Sequence, residues 1–387
     1  MLLLKNVDIF APAPAGRADI LIAGGRIVRI QPDIRVAETW CATVDASALL
    51  AVPGFIDGHV HMTGGGGEGG YATRTPELLL SDAIRGGVTT VVGCLGTDGV
   101  TRSLENLLAK ARGLDEEGIS AFIYTGYYAV PTATLTGSIE RDLLLVDKVI
   151  GAGEVALSDH RSTQPTFDQF ARLAAEARRG GILSGKAGVV NVHMGDGRRG
   201  LELLRRVIEE TEIPATQFLP THINRNRRLF EEGIAYAKTG GLVDVTTSTV
   251  PAYLADGEVR CSQGLRAMLD AGVDASRMTF TSDGQGSLPV FDADGRFERL
   301  GVGRVTSLFA AVREAVLEEH VPLETALQVI TSNPARILKL RGKGGLAAGA
   351  DADIVLLEPG TLEIRGVLAR GRWMMRDGQV LVKGTFE

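Results

Sequence analysis

Short apolar runs alternate with helical patterns through the middle of this 387-residue chain. The runs have the length and branched-residue content of buried parallel strands. Strands are predicted at 55–60, 88–92, 119–124, 155–157, 189–192, 217–219, 242–245 and 278–280. Helical patterns lie between several of them, at 103–117, 166–179, 200–211 and 227–239. About eight strand–helix units in succession predict an α/β fold, a (β/α)₈ TIM-like barrel.

Both ends of the chain consist instead of short strand-like runs and turns. Gly24-Gly25 joins two such runs and is a strong hairpin signal. Further strands are expected at 2–9, 19–23, 26–30, 43–46, 353–357, 364–369 and 373–375. We expect residues 1–52 and 343–387 to pair into one small β-sandwich domain beside a barrel at 53–342. A linear split into two domains is the less favoured alternative.

Charge, hydropathy and cysteine content exclude several classes of protein. The formal net charge is −6 and no block of Lys or Arg tracks a phosphate backbone, which disfavours nucleic acid as a partner. No run approaches the roughly 20 apolar residues that span a bilayer. Three cysteines lie too far apart for a disulfide framework or a Cys-rich zinc motif. A cytoplasmic, non-membrane protein is expected.

Histidines and an aspartate fall where predicted barrel strands end, which is where TIM barrels place their chemistry. His59 and His61 are two residues apart at the end of the first strand, so both imidazoles can face one metal ion. His193, His222 and Asp283 each follow a later strand. One His-x-His pair is weak evidence, but five such residues at one rim predict a metal centre. His160, one step beyond the rim position of its strand, is interpreted as supporting the ligands.

This set of side chains indicates the chemistry of a metal-dependent hydrolase. Imidazoles and carboxylates suit zinc or a similar divalent ion, and two ions if a carboxylate bridges them. A metal-bound hydroxide is available near neutral pH. Asp283 could take its proton and pass it to a leaving amine.

Local motifs make the prediction of a metal-dependent hydrolase more specific. They are His-Val-His-Met-Thr-Gly-Gly-Gly-Gly-Glu at 59–68, Ser-Asp-His-Arg at 158–161 and Ser-Asp-Gly-Gln-Gly-Ser at 282–287, with further segments at 125–131, 220–226 and 382–387. Together they resemble the isoaspartyl dipeptidases of the amidohydrolase superfamily, nearly from end to end of the chain. The resemblance implies hydrolysis of β-aspartyl dipeptides and a homo-oligomer, with an octamer as the expected assembly.

The resemblance also implies a role for each site residue. His59 and His61 would hold one metal ion, and His193 and His222 the other. Asp283 would be a metal-associated acid/base. Tyr128 would donate a hydrogen bond to the developing oxyanion. Substrate-binding residues would be Glu68 for the α-ammonium, Arg161 and Arg225 for carboxylates, and Thr97 and Ser287 for further hydrogen bonds.

One position departs from the pattern of the family. A lysine four residues before the Ser-Asp-His-Arg motif is expected to be carbamylated and to bridge the metals, but here that residue is Glu154. A glutamate offers the same carboxylate without CO₂, although its side chain is three chain atoms shorter. We expect Glu154 to bridge two metal ions directly. The alternatives are a mononuclear site or an ordinary acidic residue in the turn 151–154.

Two other functions stay open at this point. One is another amidohydrolase, such as an N-acyl amino-acid deacylase, hydantoinase or dihydroorotase, which would share the metal pattern. Glu68 together with Arg161 and Arg225 favours instead a substrate with an amine and carboxylates. The other is a non-catalytic scaffold, which the complete set of ligand types disfavours.

Overall fold

The structure is a computed structural model that describes residues 1–37, 40–291 and 297–387. The strands are β1 Leu2–Phe10, β2 Pro14–Ala23, β3 Arg26–Gln31, β4 Ala42–Asp45, β5 Leu50–Pro53, β6 Phe55–Val60, β7 Val88–Gly93, β8 Ser120–Thr125, β9 Val149–Leu157, β10 Val189–Met194, β11 Phe218–Thr221, β12 Val243–Thr246, β13 Met278–Thr281, β14 Ser287–Phe291, β15 Phe297–Val302, β16 Ile354–Leu357, β17 Ile364–Ala369, β18 Arg372–Arg376 and β19 Gln379–Val380. The helices are α1 Leu80–Arg85, α2 Leu104–Glu117, α3 Ile139–Leu145, α4 Phe167–Ser184, α5 Glu202–Glu210, α6 Arg227–Lys238, α7 Pro251–Ala255, α8 Cys261–Asp270, α9 Ser307–Leu317, α10 Leu323–Gln328 and α11 Ser332–Ile337. In the described ranges, none of these helices combines the length and apolarity needed to cross a membrane.

Eight parallel strands form the barrel predicted from the alternating pattern. Strands β6 to β11 pair in sequence order in one sheet, and β12 pairs with β13. Two backbone hydrogen bonds link these groups: the amide of Ile223 donates to Asp244, and the amide of His61 donates to Gly284. All eight predicted strands are present, which confirms the TIM-like barrel.

The fourth barrel strand is longer than the sequence suggested. It was expected to begin at residue 155, but β9 begins at Val149 and includes Glu154. Its first residues include Gly151 and Gly153, which weaken a strand pattern because glycine has no side chain to pack. Pairing with β8 on one side and β10 on the other nevertheless holds this segment extended. The expectation that strand four starts after Glu154 is therefore wrong.

Helix α4 illustrates how the outer layer is built. Thr166 caps its N-terminus by accepting from the amide of Gln169, and the Gln169 side chain accepts from the amide of Thr166 in return. Phe170, Leu173 and Ala177 lie on the buried face. Burying a large apolar side chain of this kind contributes about 1.5–3 kcal/mol.

The two ends of the chain meet in one nine-stranded sheet. Strand β1 pairs with β2 on one edge, and β4 and β5 pair in parallel with different parts of its other edge. Strand β5 then pairs with β16 in antiparallel orientation, which joins the N-terminal strands to the C-terminal ones. Side chains such as Leu4, Ile20 and Ile354 form the apolar core of this sheet.

Apolar side chains close the N-terminal end of the barrel. Ile56, Val92 and Tyr124 pack there with Ile337 and Leu338, which come from the end of α11 and the residue after it. The buried Tyr124 hydroxyl donates a hydrogen bond to the carbonyl oxygen of Gly58 at 3.1 Å. This packing leaves the opposite, C-terminal rim of the strands for polar residues.

Candidate metal centre

The C-terminal rim brings together all six residues that the sequence suggested as metal ligands. His59 is the penultimate residue of β6, Glu154 lies in β9 and His193 lies in β10. His61, His222 and Asp283 follow the ends of β6, β11 and β13, each within two residues. The side chains come from distant parts of the sequence, and adjacent parallel strands bring their ends to the same rim.

Glu154 lies at the centre of this group. Its Oε2 is 3.3 Å from Nε2 of His59 and 3.2 Å from Nδ1 of His193. The same oxygen is 3.8 Å from Nε2 of His222, and Oε1 is 3.3 Å from Nε2 of His61. One carboxylate therefore contacts or approaches both histidine pairs.

A bulge in β9 advances Glu154 toward the histidines. Val190 pairs with Ala152 and Val192 pairs with Val155, so Gly153 and Glu154 lie opposite the single residue Asn191. Such a bulge bends the strand and redirects a side chain. Gly153 has φ 141°, and a Cβ at this position would lie 2.5 Å from the carbonyl oxygen of Asn191. Glycine is therefore required beside Glu154.

The donor set fits a divalent metal ion. Buried atoms that make no hydrogen bond within the described residues include Nε2 of His59, Oε1 of Glu154 and Oδ1 of Asp283. Unpaired buried polar atoms are costly unless they bind a ligand. Buried His and carboxylate donors within 4.8 Å of one another include His59 with His61 and Glu154, and Glu154 with His193 and His222. Zinc and similar ions are bound by these ligand types.

The histidine rings are oriented by partners behind them, as in known metal sites. Nδ1 of His59 is 3.1 Å from Oδ1 of Asn191, and Nδ1 of His222 is 2.6 Å from Oγ1 of Thr246. Nε2 of His193 is 3.0 Å from Oδ2 of Asp159. These contacts hold each imidazole in one orientation.

The imidazoles keep both carboxylates ionised. Burial alone would raise the pKa of Glu154, but the charge of His59 and the hydrogen bond with His193 hold it well below the ordinary value. Burial likewise opposes ionisation of Asp283, yet the adjacent His61 imidazole lowers its pKa to about 2. Asp283 is therefore a carboxylate at neutral pH and can accept a proton.

Tyr128 lies next to His193, with its hydroxyl 2.8 Å from Nδ1. Burial and the charge of Glu154 raise the pKa of Tyr128 well above 10, against the opposing charge of Arg161. The phenol therefore stays protonated and can donate a hydrogen bond. The Arg161 guanidinium lies over its ring at 5.3 Å from the ring centre.

Three of the residues suggested for substrate binding converge on the carboxylate of a fourth, Glu68. Oε1 of Glu68 accepts from Thr97 at 3.1 Å and from Arg161 at 3.2 Å. Oε2 of Glu68 accepts from Ser287 at 3.2 Å. Arg161 is also paired with Asp159 at 2.8 Å, so Asp159 supports both this arginine and His193.

The glycine run before Glu68 lets its loop approach neighbouring backbone. Gly64 has φ 81°, and a Cβ there would lie 2.3 Å from the carbonyl oxygen of Thr75. The buried guanidinium of Arg102 donates to carbonyl oxygens of Thr63, Gly65 and Thr75. These contacts hold the base of the loop in place.

A cavity of about 730 Å³ opens above the cluster. Its lining includes Glu68 and Arg225, while Tyr253, Leu288 and Leu300 form a more apolar wall. Arg225 is positioned by donation from its Nε to the carbonyl of Met194 at 2.9 Å. The cavity is large enough for a small polar ligand beside the metal ligands.

Sequence reasoning missed some residues of the site. Asn191, Thr246 and Asp159 orient the histidines, and only Asp159 was recognisable, as part of the Ser-Asp-His-Arg motif. Cys94 directly follows β7 at the same rim and joins the ligand cluster of His59, His61 and Glu154. His160, interpreted from the sequence as a supporting residue, is 85% exposed on the cavity lining, with its Nδ1 3.7 Å from Oδ1 of Asp159.

Glu258 on the cavity wall makes unfolding dependent on pH. Burial raises its pKa to about 7, against the hydrogen bond from Thr249 and the charge of Arg225, compared with 4.5 for an unperturbed glutamate. A carboxyl group with a raised folded-state pKa contributes stability that is full below its unfolded pKa and lost as pH rises through the folded one. We expect the melting temperature of the wild type to fall relative to Glu258→Gln between about pH 5 and 8.

The exposed Glu231 on α6 provides a matched control for this comparison. Melting curves of the wild type, Glu258→Gln and Glu231→Gln across that range test the prediction. Parallel pH profiles for all three proteins would contradict it.

Comparison with known proteins agrees with this geometry. Residues 50–381 match the model of the amidohydrolase family. The β-aspartyl dipeptidase of Fervidobacterium islandicum AW-1, solved in complex with β-Asp-Leu, is 47% identical, with a TM-score of 0.91 and 98% of each chain covered. A dihydroorotase of Leifsonia xyli subsp. xyli is 25% identical over 90% of this chain and 85% of its own.

More distant structures share the fold. The D-hydantoinase of Bacillus sp. AR9 has a TM-score of 0.68 at 18% identity, over 99% of this chain and 97% of the other. Since the family model covers the barrel from its first strand to its last helix and reaches into the C-terminal strands, the match includes every rim residue described above. The chain belongs to the amidohydrolase family.

Proposed function

We propose that this chain hydrolyses β-aspartyl (isoaspartyl) dipeptides in a metal-dependent reaction. The observation that carries the proposal is the 47% identity, over 98% of both chains, to a β-aspartyl dipeptidase solved with β-Asp-Leu. The arrangement of Glu68, Arg161 and Arg225 around one cavity supports it, since a zwitterionic dipeptide needs an anion for its ammonium and cations for its carboxylates. The curated dihydroorotase and hydantoinase relatives reach only 25–27% identity.

We assign the metal ligands as His59 and His61 for one ion, and His193 and His222 for a second, with Glu154 between them. Glu154 supports this assignment because its two oxygens approach both histidine pairs. Zinc is the proposed ion, on ligand type. Divalent ions in such a site supply Lewis acidity, which polarises a carbonyl oxygen and acidifies water.

The residues around the ions perform the proton transfers and the binding. Asp283, ionised at neutral pH, accepts a proton from the attacking water and passes it to the leaving amine. Tyr128 donates a hydrogen bond to the oxygen that becomes negative. Glu68 binds the α-ammonium, held by Thr97, Ser287 and Arg161, while Arg161 and Arg225 bind carboxylates.

A direct assay separates this proposal from other amidohydrolase activities. Purified, metal-loaded protein is offered β-Asp-Leu, N-acetyl amino acids and cyclic ureides, and the products are separated by chromatography. We expect cleavage of β-Asp-Leu into aspartate and leucine. Hydrolysis of only the acetyl amino acids or ureides would refute the proposal, and absence of bound metal after reconstitution would favour a scaffold.

Glu68→Gln is expected to reduce kcat/KM for β-Asp-Leu by about 10- to 100-fold, because a charge-assisted hydrogen bond to the α-ammonium is lost. N-succinyl-leucine is the same molecule without that ammonium, so its slower hydrolysis should be insensitive to the variant. Steady-state kinetics of both proteins on both compounds tests the assignment. An equal loss on both compounds would show that Glu68 has a general structural role instead.

We also propose the finer organisation of the protein. The domain boundaries are 1–52 with 343–387 for the terminal β domain and 53–342 for the barrel, and the nine-stranded sheet folds over as a sandwich.

A cytoplasmic location is supported by three buried cysteines without a disulfide. Assembly into a homo-oligomer, with an octamer as the expected form, is supported by exposed apolar side chains such as Leu145 and Leu183. Light scattering of the purified protein measures the mass of the assembly.

A further inference from the structure

Cys94 occupies a position unlike those of the other two cysteines. Cys41 packs with Leu3 and Ile34, and Cys261 lies in the main apolar core. Cys94 directly follows β7 and is fully buried, where it adjoins both the apolar cluster of Val92 and Tyr124 and the metal ligands. Its Sγ lies 3.9 Å from Nδ1 of His61. Only this cysteine among the three joins a cluster of possible metal ligands in the described chain.

The atoms around this thiol are those of the metal centre. Sγ of Cys94 and one ligand atom each from His59, His61 and Glu154 all lie within 4.8 Å of one another. Two atoms of these residues, Nε2 of His59 and Oε1 of Glu154, are buried and make no hydrogen bond within the described part of the chain. These unpaired donors point independently to a ligand at the place that Cys94 faces.

The absence of a side chain at Gly96 lets the backbone after β7 pack against this cluster. A Cβ at Gly96 would lie 2.9 Å from Cε1 of His61 and 3.3 Å from Oε1 of Glu154. The backbone after β7 therefore packs closely against the same two ligands. This packing brings Cys94, two residues earlier, to the side of the cluster at which His61 and Glu154 meet.

We propose that Cys94 is a fourth ligand of the metal ion held by His59 and His61, and that binding releases its thiol proton to solvent. The inference rests on the proposed metal site but not on the identity of the substrate. A thiolate is a soft ligand, so it favours zinc, cobalt or cadmium at this position over magnesium or manganese. Cys94 would thereby set which metal the site selects.

Cobalt substitution tests this ligand by spectroscopy. Apoenzyme is loaded with Co²⁺, and absorption is recorded for the wild type, Cys94→Ala, Cys94→Ser and the control Cys261→Ala. We expect a sulfur-to-cobalt charge-transfer band in the near ultraviolet in the wild type and in Cys261→Ala, and its loss in both Cys94 variants. Competition with a chelator should show at least about tenfold weaker Co²⁺ binding by the Cys94 variants.

The outcomes separate a ligand from a thiol that only contacts the His61 ring. A wild-type spectrum without the band, or a band that persists in Cys94→Ala, would overturn the proposal. If Cys94→Ala does not fold, the wild-type spectrum and Cys94→Ser still decide the question. Neither readout measures dipeptidase activity. The result on Cys94 therefore stands whether or not the protein hydrolyses β-aspartyl dipeptides.

Discussion

Replacing Asp283 with asparagine is expected to lower kcat for β-Asp-Leu by about 10³-fold. Asp283 lies with Oδ1 3.1 Å from Nε2 of His61 and 3.6 Å from Nε2 of His59, so its carboxylate borders the metal ligands. Its pKa of about 2 leaves it ionised throughout the working pH range, because the adjacent His61 imidazole outweighs its burial. An asparagine of the same shape cannot accept the proton.

The measurement must separate lost proton transfer from lost metal. Steady-state kinetics of Asp283→Asn is therefore paired with metal analysis of the same sample. Asp270→Asn, an exposed change at the end of α8, controls for the substitution itself. Activity within about tenfold of the wild type at full metal content would contradict a proton-transfer role for Asp283.

The second large effect is expected at Glu154, the residue proposed to bridge the two metal ions. Glu154→Gln is expected to weaken metal binding by at least about 100-fold and to reduce activity accordingly. An amide replaces the only carboxylate among the described residues that lies within 4 Å of both histidine pairs. In the described chain Glu154 is fully buried, and its Oε1 makes no hydrogen bond. The preceding Gly153 packs so closely on Asn191 that an added Cβ would lie 2.5 Å from the Asn191 carbonyl oxygen.

Reconstitution without CO₂ provides the complementary test. Because Glu154 carries its own carboxylate, apoenzyme loaded with zinc in CO₂-free buffer should regain full activity. Metal content of Glu154→Gln at limiting free zinc is measured in parallel. A strict bicarbonate requirement in the wild type, or an unchanged metal content in the variant, would exclude direct bridging by Glu154.

Both predictions depend on residues that could be placed from the sequence. His59, His61, His193, His222 and Asp283 each follow an apolar run, and the ends of parallel strands share one rim in a barrel. The periodic pattern was therefore enough to group them without any contact information. Glu154 was placed by its spacing from the Ser-Asp-His-Arg motif, while its strand was predicted to start too late.

Other parts of the site carry no local signal. Cys94 follows a strand just as the histidines do, yet three widely spaced cysteines do not form a recognisable zinc motif. Asn191 and Thr246 lie inside strands, where a polar residue is commonly a hydrogen-bonded core residue. Their contacts with His59 and His222 depend on which strands are neighbours and in what register.

The sequence by itself determined the barrel, the terminal β strands and the rim on which the chemistry lies, because hydrophobic periodicity and strand ends are local properties of the chain. Only the tertiary structure decided how a shorter glutamate reaches both histidine pairs, since the β9 bulge arises from pairing between β9 and β10. The tertiary structure also decided the position of Cys94 beside the metal ligands and the positions of the donors around Glu68. Their distances are set by the packing of segments far apart in sequence, which no local pattern encodes.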